Sequence, residues 1–583
     1  MKFLLGAVLL SGVVMTASAQ RVNIDGAPQT FSVWSEQYFD ELFHAQPSYA
    51  TSVGLHEYDT MLEDYSAAAV QKQTLKLHEW EKKFESIPAE GLDRDVAADR
   101  QILLNSIRSQ LLSLETIRMW EKNPDNYSSG ITGSVFVIMS RNYAPVNTRL
   151  RAAVEREKLM PQVFVEARKN LKNPPKIYTE IALEQIDGLV SFFQNDVPSA
   201  FKDATDEQTK ADFAKSNAAV IEALKSYGAW LKSDLLPRSN GDFRFGADTY
   251  RKKLQYDEMV DTPLDRLIEI DMANMRANQA EFARIAHEVD PNKSPLDVLA
   301  ELATIHPAPD KLLDAFRDSF NGEIAFIKAH KIITLPSDVR PVLEETPPFM
   351  RATTQASMDP PGPFETHSKT AFFNVTLPES GWSKDRVAEH MAAFNVGTIV
   401  STSVHEAYPG HYVQFLWQNQ FPSKIRKLVG ANSNIEGWAH YCEQMMLDEG
   451  YGQPGFGAKD EREAKLIRLG QLQDALLRNA RFVVGIKMHT AGMTTEEAEA
   501  FFVKEGYQSP SIAKMETKRG TSDATYLYYT LGKLQILKLR EDVKKKRGAA
   551  FTLQGFHDDL MRQGFAPIKV IRKAMLNDDS PVL

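Results

Sequence analysis

Between Leu335 and Pro363 the chain carries prolines so densely, as in RPVLEETPPFM and MDPPGPFE, that no helix can pass through it. On both sides of that stretch the pattern is helical. Leu103, Ile107, Leu111, Leu114 and Ile117 recur at three- and four-residue spacing, which predicts a helix from about Asp99 to Lys122. Thr262-Pro263 followed by Asp265 gives a cap, a proline and an early acid, starting a helix that continues to about His287. Ser294-Pro295 and Thr494 with Glu497 are further start signals. Just after the prolines, AFFNVTLP (Ala371 to Pro378) is β-branched and aromatic enough to be a strand. The fold class expected is therefore mainly α, a large helical protein with a small β element near residues 335–380. It divides into a helical half at 20–334 and a second helical half at 335–583, which need not be independent domains. No repeat of fixed period and no low-complexity tract interrupts it.

The chain opens with Lys2, an apolar run from Phe3 to Met15, and Ala17-Ser18-Ala19. This is the pattern of a signal peptide spanning residues 1–19, cut before Gln20. No cysteine follows, so the cut is not that of a lipoprotein. A periplasmic or secreted protein with no stable membrane span is expected. The formal net charge of −9 lacks the basic footprint of a nucleic-acid partner. The single cysteine, Cys442, can form no internal disulfide, so the chain relies on its core.

His-Glu occurs four times. His56-Glu57, His78-Glu79 and His287-Glu288 have no second histidine close downstream and read as surface residues. His405-Glu406 opens HEAYPGH, with a second histidine, His411, six residues after the first. On a regular helix six residues turn about 240°, which would carry His411 away from His405. The helix cannot be regular, because the ring of Pro409 would clash with the carbonyl of His405, and Gly410 permits backbone that other residues avoid. A bulge or kink there returns both histidines to one face. A zinc site also needs a third ligand and an open position. In NIEGWAHYCEQMMLDEG, Glu436, His440 and Glu443 fall at i, i+4 and i+7, one face of a helix. Glu436 can reach the metal, and His440 and Glu443 can support the ligands from behind. The other reading of this stripe is a solvated acidic face.

HEAYPGH, EGWAHYCEQMM, ARFVVGIKMHTAGMT and TYLYYTLGKLQI, with AQPSYATSVGLHEYDTMLEDYS near the start, resemble the bacterial family catalogued as domain of unknown function 885. That family is in turn similar to helical zinc peptidases of the gluzincin type. The resemblance implies a mostly helical fold with a deep central cleft. It implies Zn2+ on His405, His411 and Glu436, with Glu406 as general base. Tyr529 and His489 are the implied oxyanion donors, with Tyr526 three residues before Tyr529 on the same face. Arg481 and Arg519 can hold a substrate carboxylate. The six-residue spacing departs from the four of those peptidases.

An exported zinc metallopeptidase acting on small or unfolded peptides is the function expected. Two alternatives stay open: a zinc hydrolase of another small amide or an ester, and a non-catalytic peptide-binding protein. Serine chemistry finds no G-x-S-x-G elbow, and Cys442 reads as a small buried hydrophobe. Substrate, cleavage mode and oligomeric state are not written in the sequence.

Overall fold

The computed structural model describes residues 24–347, 351 and 354–583. The expected signal peptide lies outside the described residues. Helix accounts for 71% of the chain and strand for 3%, so the molecule is mainly α. No helix among the described residues is long and apolar enough to cross a membrane.

Local sequence signals place most helix starts. Ser294 and Thr494 each accept a hydrogen bond from the third residue of their helices while Asp297 and Glu497 reach back, two complete capping boxes. The Thr262-Pro263 start is displaced by one: the helix is Leu264–Val289, with Pro263 in the cap position. The periodic segment near Asp99 divides. It is helical over Arg94–Leu111, relaxes into a π-turn at Leu112–Ile117, and reverses at Arg118, whose φ is 58°. Apolar periodicity continues through the π-turn, which is why the sequence reads as one helix.

The proline-dense connection forms a three-stranded sheet. Strand β1 (Val342–Glu345) runs parallel to the central strand β3 (Phe372–Val375), and β2 (Ala356–Asp359) pairs with β3 in antiparallel register, Met358 opposite Phe373. β2 is an edge strand, and its free edge turns toward the helices that follow. The largest hydrophobic core joins the two halves: Phe31, Trp80 and Leu103 share it with Phe373, Val404 and Trp438. The smaller clusters pack Met275 and Phe282 on Leu476 and Val484, and Tyr250 and Leu267 on Phe482 and Leu531.

Five helices of the second half carry the histidine–glutamate and tyrosine motifs: Val396–Glu406, His411–Leu416, Asn432–Asp448, Glu461–Thr490 and Tyr528–Arg547. The third and last of these touch along their backbones. A Cβ on Gly437 would lie 2.5 Å from Gly532 Cα, and one on Gly532 only 1.8 Å from Ser433 O. That contact brings Tyr529 beside Glu436.

Candidate metal centre

The helix carrying His405 starts on Asn395, whose side chain accepts from the amides of Gly397 and Thr398, and stops at Glu406. Pro409 cannot continue it. Instead of a bulged helix, the chain makes a tight turn over Ala407–Gly410 and begins a new helix at His411. The Gly410 amide closes the turn on Val404 O (3.0 Å), and Trp438 Nε1 donates to Pro409 O (3.0 Å), tying the turn to the Glu436 helix.

This turn brings the two histidines together. The His405 and His411 rings meet edge to face, 4.8 Å apart. Glu436 Oε2 lies 3.4 Å from the Nε2 atom of each. That oxygen is buried yet has no hydrogen-bond partner among the described residues. In a tetrahedral zinc site with bonds of 2.0–2.1 Å, neighbouring donor atoms stand about 3.3 Å apart. The carboxylate oxygen stands at that spacing from both histidine nitrogens, all three donor atoms lie within 4.8 Å of one another, and the oxygen has no hydrogen-bond partner of its own, so the set fits such an ion.

Behind His405 the ligand is oriented. Its Nδ1 donates to Glu443 Oε1 (2.7 Å), His440 Nδ1 donates to Glu443 Oε2 (3.0 Å), and Arg478 Nη2 bonds Glu443 Oε1 (3.0 Å). The carboxylate thus fixes the His405 tautomer that presents Nε2. Burial opposes charge on Glu443, but Arg478 and His440 hold its carboxyl well below the usual range. Burial likewise opposes charge on His405, and the nearby Glu436 carboxylate with the bond to Glu443 outweighs it, raising its pKa to about 9. Burial, aided by Lys533, pushes His440 down to about 3, so that ring is neutral. His411 lacks comparable support; its Nδ1 has no partner among the described residues. Replacing Glu443 with Gln is expected to weaken zinc binding about 10- to 100-fold, measured by competition with a chelating dye.

Glu406 faces the edge of the sheet: the Met358 amide donates to its Oε2 (3.0 Å). Tyr529 stands across from the triad, its ring stacked on His405 at 6.4 Å. Arg519 Nη2 donates to the Tyr529 hydroxyl oxygen (3.2 Å), and the hydroxyl proton has no acceptor among the described residues.

The site is largely buried: the side chains of His405 and His411 are 8% and 11% accessible, and Glu436 is 24%. The family profile described as bacterial protein of unknown function (DUF885) matches residues 47–575. The chain belongs to that family. Two solved structures share the DUF885 chain's fold. A candidate lipoprotein of unknown function from Shewanella oneidensis is 26% identical, with 94% of this chain and 99% of that one covered at a TM-score of 0.77. A candidate lipoprotein from Colwellia psychrerythraea, 18% identical, covers the same shares at 0.78 and shows the fold alone. Among curated proteins nothing matches.

Three residues named from the DUF885 motifs lie away from the role given them. His489 is buried among Phe243, Phe245 and Tyr250, with Nε2 bonded to Gly520 O (2.8 Å). Burial lowers its pKa to about 4, and eight residues of helix, about 12 Å, separate it from Arg481. It is a packed core histidine. Tyr526 precedes the helix that carries Tyr529, in a turn, so helical spacing does not put the two on one face; its ring packs against Gly485 and Gly520. Arg481 gives Nε and Nη2 to Glu516, both at 2.7 Å, which leaves that fork no room for a substrate. Of the other His-Glu pairs, His287 is exposed, His78 is partly exposed and bonds Glu115, and His56 is half-buried. Its ring stacks on Tyr143 at 3.5 Å and bonds Asp59 and Glu365. Asp59 lies nearby, but Glu365 comes from the distant connection, so no local pattern could show it.

Arg478, Met358 and Lys533 were missed. Arg478 lies three residues before Arg481 on the same helix, a signal that was available. Lys533, wholly buried and pushed down to about 8, follows Tyr529 by one helical turn. Met358 acts through its backbone and carries no signal in its side chain.

Proposed function

We infer that the protein is an exported zinc-dependent hydrolase, and that its substrates are peptides. The observation that carries this reading is the orphaned Glu436 oxygen, 3.4 Å from two histidine Nε2 atoms, with Glu406 adjacent in the chain to one of them. A zinc ion held by His405, His411 and Glu436 would supply Lewis acidity and stabilise developing negative charge. The remaining steps belong to side chains. Glu406 has one oxygen held by the Met358 amide, and Oε1 is left to take the proton of an attacking water. Glu406 Oε1 then returns that proton to the leaving amine. Tyr529 offers its uncommitted hydroxyl proton to the oxyanion. The free edge of β2 presents backbone donors and acceptors beside Glu406, which suits an extended peptide.

Export is supported by the N-terminal sequence and by the lipoprotein description of the Shewanella oneidensis relative. The test is hydrolysis of a mixed peptide library by zinc-loaded protein, with Glu406→Gln alongside. The variant is expected to keep its zinc and lose about 10²- to 10⁴-fold in rate. A library left intact by zinc-replete wild type would rule out the peptidase and point to a non-peptide amide, an ester or a binding role.

A further inference from the structure

Three guanidinium groups surround one ring next to the metal triad. The Cζ atoms of Arg481, Arg478 and Arg519 lie 4.9, 5.6 and 5.8 Å from the centre of the Tyr529 ring. Two of them are committed. Arg481 is closed on Glu516, its side chain 9% exposed, and Arg478 is spent on Glu443. Arg519 differs. Its side chain is 36% exposed. Nε and Nη2 rest on Asp523 Oδ2 (3.2 and 3.1 Å), and Nη2 also reaches the Tyr528 and Tyr529 hydroxyls (3.4 and 3.2 Å). Asp523 Oδ2 is itself held by the Tyr528 hydroxyl (2.9 Å). One edge of the fork is therefore fixed by three neighbours, while Nη1 makes no hydrogen bond among the described residues.

We propose that Arg519 Nη1 receives the terminal carboxylate of a peptide whose last bond lies at the His405–His411–Glu436 triad, so that substrates are peptides with a free carboxyl terminus. This rests on the hydrolase reading. Tyr529 sets the distance: its ring stacks on His405 on one side and its hydroxyl accepts from Arg519 on the other. A scissile carbonyl oxygen bonded by Tyr529 is thus one side chain away from Arg519. The next residue of an extended peptide lies about 3.8 Å further along, which brings its carboxylate to the guanidinium. A planar guanidinium with an open N–H pair matches a carboxylate, and the held edge removes the ordering cost from binding. Water adds across the last peptide bond. Its C–N bond breaks, the new carboxyl keeps the water oxygen, and the freed amine takes the proton carried by Glu406.

An aspartate or glutamate side chain offers the same chemistry as a chain terminus, so the test separates them. Three N-acetylated tetrapeptides of one sequence are compared: the free acid, its C-terminal amide, and an amide whose last residue is glutamate. Hydrolysis is followed by mass spectrometry in zinc-loaded wild type, Arg519→Gln and Arg519→Lys. Binding is followed by calorimetry in the Glu406→Gln background, and zinc content and thermal unfolding check each variant. Wild type is expected to favour the acid over the plain amide by about 10- to 100-fold in kcat/KM and in affinity, the worth of a charge-assisted hydrogen bond. The ratio is expected to fall to within about threefold in Arg519→Gln and to recover partly in Arg519→Lys. Equal treatment of acid and plain amide by wild type overturns the proposal and leaves the hydrolase reading intact. A glutamate amide as good as the acid overturns it in favour of a side-chain subsite. Tighter binding of the acid that depends on Arg519, without hydrolysis of any peptide, keeps the carboxylate subsite and removes the hydrolase reading. Neither binding nor hydrolysis removes both.

Discussion

Glu436→Ala is expected to fold and to lose its zinc, while the wild-type protein holds about one ion per chain. In the metal-free protein Glu436 is partly exposed and contributes little packing, and removing it costs its approach to His405 and His411 at 3.4 Å, the two rings that hold its carboxyl well below the usual range against burial. With zinc supplied, the carboxylate is one of three protein ligands. Structural zinc sites are worth about 10–16 kcal/mol, so one ligand's share corresponds to at least a hundredfold in affinity. Two measurements follow. Elemental analysis after dialysis is expected to find zinc in the wild type and less than about a tenth as much in the variant. Zinc at about a thousand times Kd stabilises the wild type by about 4 kcal/mol, and this increment is expected to vanish in Glu436→Ala. A variant that keeps both its zinc and the stabilisation would mean that the ion sits elsewhere, and the hydrolase reading would lose its centre.

How far the sequence could reach follows from the range of each interaction. The helical class was legible because apolar spacing and capping residues act within a few positions, as at Ser294 and Thr494. The triad was legible for a related reason. Pro409 and Gly410 state locally that the chain breaks between the two histidines, and Glu436 shares a helix face with His440 and Glu443. What the sequence hid is contributed across distance. Nothing near Glu406 announces that an edge-strand amide from Met358 will bond it, and nothing near Arg481 announces Glu516, on the helix Pro510–Ser522. His489 shows the opposite error. A histidine near a helix end was read as a donor, although burial among three aromatic rings made it a core residue. The π-turn at Leu112–Ile117 escaped because its apolar residues keep helical spacing while the hydrogen-bond pattern changes.

Gly410→Ala is expected to be among the most disruptive single methyl additions at the described glycines, matched in closeness only by Gly532→Ala. The added Cβ would lie 1.8 Å from His405 O and 2.4 Å from Val404 O. Both are backbone atoms of the helix that presents His405, so no side-chain rotation can relieve the clash. The turn would have to open, breaking the Gly410 amide bond to Val404 O and shifting the Gln414 amide bond to Gly410 O. Steric conflict with fixed backbone in a buried turn belongs to the rare substitutions that cost more than about 4 kcal/mol. If the variant folds, His411 swings away from the Glu436 oxygen and zinc is lost although all three ligands remain in the sequence. Gly133→Ala is the control, since a Cβ at that exposed helix position meets nothing within 4 Å and is expected to stabilise by about 1 kcal/mol. Denaturant unfolding and zinc analysis of both variants decide the matter. A Gly410→Ala protein with wild-type stability and full zinc would show that the turn does not align the histidines, and the wide spacing would need another explanation. Loss of zinc at preserved stability would place the alignment of the two ligands in four residues of backbone.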